Sequence, residues 1–222
     1  MSSHHIVREG QEPALLIANG EACSRELLDQ LLEWSPYVLV LDGALKRVLS
    51  LGIKFDGILG DFDTYTQEEI IGMVQPNTEV LYTPDQEKTD LEKGLEFLIS
   101  KKFEAVNIVW ATGMRSDHYM NNIASLARYK DQINLVMLDN HSKIYPIKSG
   151  FKKHFLSDTN VSLIPLNKVQ NLKTENLVWD LNFETLEYPF KTSSSNKVLS
   201  TGMVEVHFDS GILLMMECID VQ

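Results

Sequence analysis

The chain has 222 residues and a mass of 25.2 kDa, which is enough for one large domain or two modest ones. Its 44% hydrophobic and 23% charged residues are typical of a globular protein, which excludes intrinsic disorder and a disulfide-dependent miniprotein. The formal net charge of −11 would repel a phosphate backbone, so nucleic acid is not an expected partner. Because we find neither a long apolar run nor a signal-peptide core, we expect no membrane partner and a cytoplasmic protein.

Up to about residue 140, short aliphatic runs alternate with helical patterns, which is typical of βαβ units. The candidate strands cover residues 14–18, 37–41, 57–59, 79–82, 106–110 and 135–138. Residues 25–34 and 44–51 have helical patterns, and Thr66 and Thr89 each begin a capping box with a Glu three residues later. The pattern predicts a mainly parallel, Rossmann-like α/β/α domain over residues 1–140.

After about residue 140 the helical periodicity ends, and strand-like stretches separated by Gly, Asn, Asp and Ser take over. Residues 141–222 are therefore predicted to form a second, smaller all-β domain of sandwich or barrel type. Residues 204–208 alternate strictly, residues 209–211 have turn composition, and residues 212–216 are apolar. This pattern predicts a β-hairpin at the end of the domain.

Aspartates follow several of the predicted parallel strands. They are Asp42, Asp61, Asp63, Asp85, Asp90 and Asp117. Because the carboxyl ends of parallel strands share one edge of a sheet, where ligands bind, several of these carboxylates should converge. Like charges repel, so such a cluster favours a bridging cation, and Mg²⁺ is the natural candidate. The pattern points to phosphate chemistry, although for any single aspartate a helix cap or turn is the more common role.

Two segments carry the most specific chemistry. In Asp61-Phe62-Asp63 the two carboxylates are two residues apart, so on an extended chain both could hold one ion. In the segment 113–118, Arg115 could bind phosphate and Asp117 could hold metal or orient a hydroxyl, or the two could form an ordinary surface ion pair. The chain has neither a GxxxxGK[ST] loop nor a GxGxxG motif, so phosphate must be held in another way.

Taken in order, these segments resemble the thiamine pyrophosphokinase family, whose members transfer a diphosphate group from ATP to thiamine. The matching segments are Asp42-Gly43-Ala44, residues 60–64, 85–90, 113–118 and 177–181, and the pair Ser195-Asn196. Met114 stands where Gly is common in the family, and Asn176 replaces a Gly before Leu177. Asn is the best residue after Gly for a left-handed backbone, so that turn can be kept.

The resemblance implies a Mg²⁺ cofactor, ATP and thiamine as substrates, and a homodimer with the site at the subunit interface. It also implies that residues 1–140 form the nucleotide-binding catalytic domain and that residues 141–222 form the thiamine-binding domain. The implied catalytic residues are Asp61, Asp63, Asp90, Arg115 and Asp117, of which the metal ligands are Asp61, Asp63 and Asp90. The implied ATP-binding residues are Asp42, Gly43, Lys88, Thr89, Arg115 and His118. The implied thiamine-binding residues are Trp179, Ser193, Ser195 and Asn196, in which Trp179 would offer an aromatic wall to the thiamine cation. Asp117 is also a candidate acceptor of the hydroxyl proton.

Two other functions stay open at this point. A strand followed by DxD also begins the site of haloacid-dehalogenase-like phosphatases, in which Asp61 would be the nucleophile. In this chain, however, Tyr65 occupies the position where that motif has Thr. The other alternative is a non-catalytic sensor that binds nucleotide or thiamine.

Overall fold

The computed structural model describes residues 12–63 and 65–219. Within these ranges, no helix is both long enough and apolar enough to cross a membrane. The chain divides after Asp139 into two compact units.

The first unit contains a six-stranded, wholly parallel sheet with the order β6-β5-β1-β2-β3-β4. Its strands are β1 (Ala14–Ile17), β2 (Val38–Leu41), β3 (Gly57–Gly60), β4 (Glu79–Tyr82), β5 (Ala105–Val109) and β6 (Asn134–Leu138). The strands other than β4 are buried almost throughout, which explains their nearly continuous aliphatic runs. The predicted α/β fold class is confirmed.

The helices described in this unit are α1 (Arg25–Leu32), α2 (Leu45–Ser50), α3 (Gln67–Met73), α4 (Asp90–Ser100) and α5 (Ser116–Tyr129), and a 3₁₀ turn at Asp42–Ala44 precedes α2. Three of these five helices, α1, α3 and α4, begin after a residue whose side chain caps the helix. The capping boxes of Thr66 and Thr89 are both present, so these two predicted helix starts are confirmed.

Helix α4 lies very close to the sheet because it carries a glycine in its middle. A Cβ atom added at Gly94 would lie 2.9 Å from Leu16 Cδ1 of β1. Leu91, Leu95 and Leu98 of the same helix are buried. This close packing holds the first turn of α4, which begins at Asp90, near the carboxyl edge of the sheet.

The second unit consists of two antiparallel four-stranded arrays, with the orders β12-β9-β14-β7 and β11-β10-β13-β8. Its strands are β7 (Ser142–Ile147), β8 (Phe151–Phe155), β9 (Asn160–Pro165), β10 (Val169–Glu175), β11 (Glu184–Leu186), β12 (Ser193–Lys197), β13 (Gly202–His207) and β14 (Leu213–Cys218). The rings of Tyr145 in β7 and Phe151 in β8 lie 6.2 Å apart, so the two arrays pack against each other. The predicted all-β character of this part is confirmed.

The predicted hairpin at the end of the chain is wrong. Both strands exist, but β13 pairs with β8 and β10, whereas β14 pairs with β7 and β9. The connection between them crosses from one array to the other, where Phe208 N–H donates to Ser149 Oγ (2.9 Å) and Ile212 N–H to Asn167 Oδ1 (2.7 Å). Alternation shows which side of a strand is buried, but it does not show which strand is its partner.

Candidate active site

A pocket of about 450 Å³ lies at the carboxyl edge of the parallel sheet. Its lining comes from the segments that follow β1, β2, β3, β4 and β5 and from the first turns of α4 and α5. The predicted site residues that line it are Asp42, Gly43, Asp61, Lys88, Thr89, Asp90, Arg115 and His118. This convergence follows from the parallel topology, which brings all the strand ends to one side.

One wall of the pocket is a cradle for a single carboxylate, formed by Asp42, Gly43, Gly60 and Phe62. Asp42 accepts the N–H of Phe62 at 3.0 Å and that of Gly43 at 2.5 Å. A Cβ at Gly60 would lie 2.2 Å from the Asp42 carboxyl, so the cradle requires glycine there. Burial raises the pKa of Asp42, and the nearby carboxylates of Asp90 and Asp61 raise it further, although the two N–H groups act in the opposite direction.

Asp61 and Asp90 face the same pocket, and each has a different polar partner. Gln86 Nε2 donates to Asp61 Oδ2 at 2.8 Å, which lowers the pKa of Asp61. Lys93 Nζ lies 3.3 Å from Asp90 Oδ1 and donates to the Thr83 carbonyl at 3.1 Å. Lys93 is only 8% exposed, so a buried cation stands directly behind the Asp90 carboxylate.

The predicted metal ligands are only partly brought together. Asp61 and Asp90 line the pocket, whereas Asp63 is exposed and outside its lining. Across residues 12–63 and 65–219, no three or more His, Cys, Asp or Glu side chains are grouped to hold a metal ion. Mg²⁺ commonly uses one or two carboxylates and completes its shell with water and phosphate oxygens, so these oxygen donors fit Mg²⁺ shared with a phosphate ligand.

The pocket is also lined by part of the Arg115 loop, which we define as residues 113–118. Asp117 of this loop, a predicted catalytic residue, is outside the pocket lining. Gly113 and Met114 both have a left-handed backbone, with φ of 67° and 51°. A Cβ at Gly113 would lie 2.5 Å from the carboxylate of Glu21, so glycine is required there. Met114 is 70% exposed, and its backbone is in a region that L-residues rarely adopt, so packing of its side chain does little to offset the strain.

Within this loop, Arg115 and Asp117 form a two-point ion pair. Arg115 Nε lies 3.1 Å from Asp117 Oδ1, and Nη2 lies 2.5 Å from Oδ2. These hydrogen bonds lower the pKa of Asp117 to about 2, although both side chains are exposed. The N–H of His118 also donates to Asp117 Oδ1, at 3.0 Å.

The two remaining predicted ATP ligands lie at the start of α4. Lys88 Nζ donates to both carboxylate oxygens of Glu96, at 2.8 and 2.9 Å, which raises the pKa of Lys88. The hydroxyl of Thr89 accepts the Glu92 N–H at 3.3 Å and so caps the helix. The ammonium group of Lys88, which precedes α4, is therefore paired with Glu96 of α4, a residue outside the pocket lining.

Five polar side chains that line the pocket were not predicted as site residues, namely Asn19, Gln86, Lys93, Tyr119 and Asn122. A signal was available for Asn19, because it follows β1 at the same edge as Asp42 follows β2. Lys93 lies one helical turn after Asp90 and so on the same face of α4. Its burial depends on tertiary packing that this spacing does not reveal.

The predicted thiamine-binding residues lie in the second unit. Trp179 is 61% exposed on the connection between β10 and β11, and Ser193, Ser195 and Asn196 belong to β12. Asn196 accepts the Trp179 N–H at 3.2 Å and donates to the Trp179 carbonyl at 2.8 Å. The fold thus brings Trp179 and Asn196 into contact, although they are 17 residues apart.

Comparisons with known proteins agree over most of the chain. Residues 28–137 match the family model for the thiamin pyrophosphokinase catalytic domain, and residues 150–213 match the model for the thiamin pyrophosphokinase vitamin B1 binding domain. Thiamin pyrophosphokinase 1 of Caenorhabditis elegans is 26% identical over 199 residues, covering 82% of this chain and 79% of that protein. Thiamine pyrophosphokinase of Bacillus subtilis is 27% identical over 192 residues, covering 81% and 86%.

Solved structures share the fold. The crystal structure of thiamine pyrophosphokinase from Bacillus subtilis has a TM-score of 0.78 at 22% identity, covering 94% of this chain and 100% of that one. The crystal structure of yeast thiamin pyrophosphokinase has a TM-score of 0.81 at 17% identity, covering 96% and 88%.

Proposed function

Since the chain belongs to the thiamin pyrophosphokinase family, whose reaction is the transfer of a diphosphate group from ATP to thiamine, we propose that this reaction takes place at the pocket on the parallel sheet. The phosphatase and sensor alternatives are not favoured, because the models of both domains of this family match the chain. The roles of individual residues in this reaction are part of the proposal.

The observation that carries the proposal is the mixture of charges around one pocket. The residues that line it include the acidic Asp42, Asp61 and Asp90 and the basic Lys88, Lys93 and Arg115. Carboxylates recruit a hard cation, and cationic side chains meet phosphate oxygens, so this lining suits a magnesium-bound polyphosphate. Transfer of phosphoryl groups depends mainly on positioning and charge stabilisation, which this arrangement can supply.

We assign the residues to roles as follows. Asp61 and Asp90 would hold Mg²⁺, together with Asp63 from the same segment as Asp61. When bound, Mg²⁺ would neutralise the charge of the ATP phosphates. Arg115 would stabilise the charge that develops on the transferred group. The other proposed ATP-binding residues are Asp42, Gly43, Lys88, Thr89 and His118.

The chemical step joins the thiamine hydroxyl oxygen to the β-phosphorus of ATP. The bond from the β-phosphorus to the α,β-bridging oxygen breaks, and AMP leaves with the electron pair. The hydroxyl proton must pass to a base, and a carboxylate with a pKa of about 2, such as Asp117, is a weak one. We therefore propose that Asp117 contributes mainly by orienting Arg115, which leaves the proton to a phosphate oxygen or water.

Thiamine is a cation and would bind against an aromatic side chain, for which we propose Trp179, with Ser193, Ser195 and Asn196 nearby.

We also propose a homodimer with the site at the subunit interface, which analytical ultracentrifugation would test. A cytoplasmic location stays a prediction that cell fractionation would test.

One assay separates the three candidate functions. The protein is incubated with ATP, Mg²⁺ and thiamine, and AMP and thiamine diphosphate are followed over time. Equal amounts of both products are expected, with no turnover when thiamine is omitted. Release of free phosphate alone would indicate the phosphatase. Formation of ADP would indicate transfer of a single phosphoryl group, and binding of ATP or thiamine without any product would indicate a sensor.

A further inference from the structure

The connection between β10 and β11 presents Trp179 to solvent from a firmly held backbone. Leu177 is 2% exposed and Leu181 is buried, so apolar anchors lie on both sides of Trp179. The N–H of Val178 donates to the Lys197 carbonyl at 2.8 Å, which ties the connection to β12. Trp179 itself is 61% exposed, although tryptophan is usually well covered in folded proteins.

A single buried amide satisfies both main-chain groups of Trp179. Asn196 Oδ1 accepts the N–H of Trp179 at 3.2 Å and that of Lys197 at 2.8 Å. Asn196 Nδ2 donates to the Trp179 carbonyl at 2.8 Å and to Ser193 Oγ at 3.3 Å. A flipped amide would face N–H donors with its own NH₂ group, so these contacts define one orientation.

The preceding part of the connection is held independently by Asp180. Its carboxylate accepts the hydroxyl of Thr174 at 2.7 Å and the N–H groups of Leu177 and Asn176 at 3.1 and 3.2 Å. The backbone on each side of Trp179 is therefore fixed, and the indole keeps only its side-chain torsions. A binding group that is already ordered loses less entropy when its ligand arrives.

We propose that Asn196 is a positioning residue that sets the affinity for thiamine through Trp179, and that it is not itself a ligand of thiamine. Asn196 is 2% exposed, and both lone pairs and both N–H bonds of its amide are engaged. Direct binding would break one of these buried hydrogen bonds. The proposal rests on the proposed function, because it takes thiamine as the ligand of Trp179.

The first test replaces Asn196 by an isosteric side chain that lacks the donor. Asn196→Asp places a carboxylate oxygen against the Trp179 carbonyl, so the connection should loosen. We expect the KM for thiamine to rise about tenfold, with kcat and the KM for ATP within about twofold. Asn182→Asp is the matched control, since it adds the same charge three residues from Trp179 at an exposed position, and it should leave all three constants within about twofold.

A double-mutant cycle separates positioning from direct contact. If Asn196 acts through Trp179, then Asn196→Asp should change the KM for thiamine less than about twofold when Trp179 is already Ala. The full tenfold effect in both backgrounds would overturn the proposal and make Asn196 a direct ligand. If Asn196→Asp does not fold, Asp180→Asn loosens the same connection and should raise the same KM, and an unchanged value would contradict the proposal.

A ligand-free measurement keeps this inference separate from the proposed function. Amide hydrogen exchange at Trp179 should be about tenfold faster in Asn196→Asp than in the wild type, whereas exchange in β14 stays unchanged. Equal exchange at Trp179 would overturn the proposal. If the wild type forms no thiamine diphosphate, the proposed function fails. In that case calorimetric titration with thiamine tests the role of Asn196. Equal affinity of the wild type and Asn196→Asp for thiamine would contradict the proposal, and so would the absence of thiamine binding to the wild type.

Discussion

The Asp42 cradle and the Arg115 loop hold carboxylates in different ways. In the Asp42 cradle, main-chain N–H groups bind a half-buried carboxylate whose pKa is raised. In the Arg115 loop, an exposed guanidinium binds Asp117, whose pKa is lowered to about 2. The Asp42 carboxylate is held by main-chain donors next to a glycine, whereas the Asp117 carboxylate is held by another exposed side chain. Substitutions in the cradle should therefore disturb both structure and activity, and substitutions of Arg115 or Asp117 should leave the fold largely intact.

The largest effect is expected at Asp61, the carboxylate beside the cradle. Asp61→Asn removes the charge of a proposed metal ligand while keeping the shape of the side chain, so kcat should fall on the order of 100-fold or more, with little change in thermal stability. Asp158→Asn, at an exposed position of the second unit, is the matched control and should retain wild-type activity. A near-normal rate for Asp61→Asn would show that Asp61 only maintains structure.

The corresponding substitution at Asp63 tests whether this residue also binds the metal ion. Asp63 is exposed and outside the pocket lining, although the resemblance to the family implies that it binds metal. If Asp63→Asn lowers kcat as much as Asp61→Asn does, the segment moves when ATP and Mg²⁺ bind. If Asp63→Asn is nearly silent, its predicted role as a metal ligand is wrong.

Gly60→Ala tests the cradle itself. The added methyl group would lie 2.2 Å from the Asp42 carboxyl, so the carboxylate must move from its N–H donors. We expect a loss of about 2 kcal/mol in the free energy of unfolding and about tenfold in kcat, measured by urea denaturation and by the formation of AMP and thiamine diphosphate. The control is Gly72→Ala in α3, where a Cβ meets nothing within 4 Å and stability should rise by about 0.5 kcal/mol. Equal stability changes in the two variants would contradict the cradle.

Met114→Gly tests the Arg115 loop and, in contrast to Gly60→Ala, should increase the free energy of unfolding. Relief of a left-handed backbone gains about 1–2 kcal/mol, and the extra freedom of glycine in the unfolded chain offsets part of it, so a net gain of about 0.5–1 kcal/mol is expected. Asn176→Gly is the comparison, since Asn176 has φ of 74° but its side chain bonds to Ser200 and Met203. Urea denaturation should show that this variant loses stability, because those hydrogen bonds disappear.

The smallest effect concerns the titration of Asp117. Its pKa is lower in the folded protein, so its contribution to stability is present above the ordinary value of 3.8 and is lost as the pH falls towards about 2. The stability difference between wild type and Asp117→Asn should therefore be positive at pH 6 and shrink between pH 4 and pH 2. Urea denaturation over this range measures it, and a difference that grows in acid would contradict the ion pair.

Local signals predicted much of the first unit. The capping boxes of Thr66 and Thr89 lie within four residues each, so they can be recognised without knowledge of the fold. The positions of Asp42, Asp61 and Asp90 at one edge follow from the parallel arrangement alone.

Features that depend on distant residues were not predicted. The burial of Lys93 depends on the packing of α4, and the contact between Asn196 and Trp179 joins two segments 17 residues apart. The false hairpin has the same cause, because the pattern of β13 and β14 describes each strand but not its partners. Local chemistry was readable from the sequence, whereas pairings across the fold were not.

Gly94 has a practical consequence for anyone who wishes to make this chain more heat-resistant. A routine survey of helix propensity would choose this position first, because alanine in the middle of a helix is worth about 1 kcal/mol over glycine. Here the extra methyl group would press on Leu16 at 2.9 Å and push α4, with Asp90 on its first turn, away from the sheet. Gly94→Ala is therefore expected to lower the melting temperature in spite of its better helix propensity, and to disturb turnover through the displacement of Asp90.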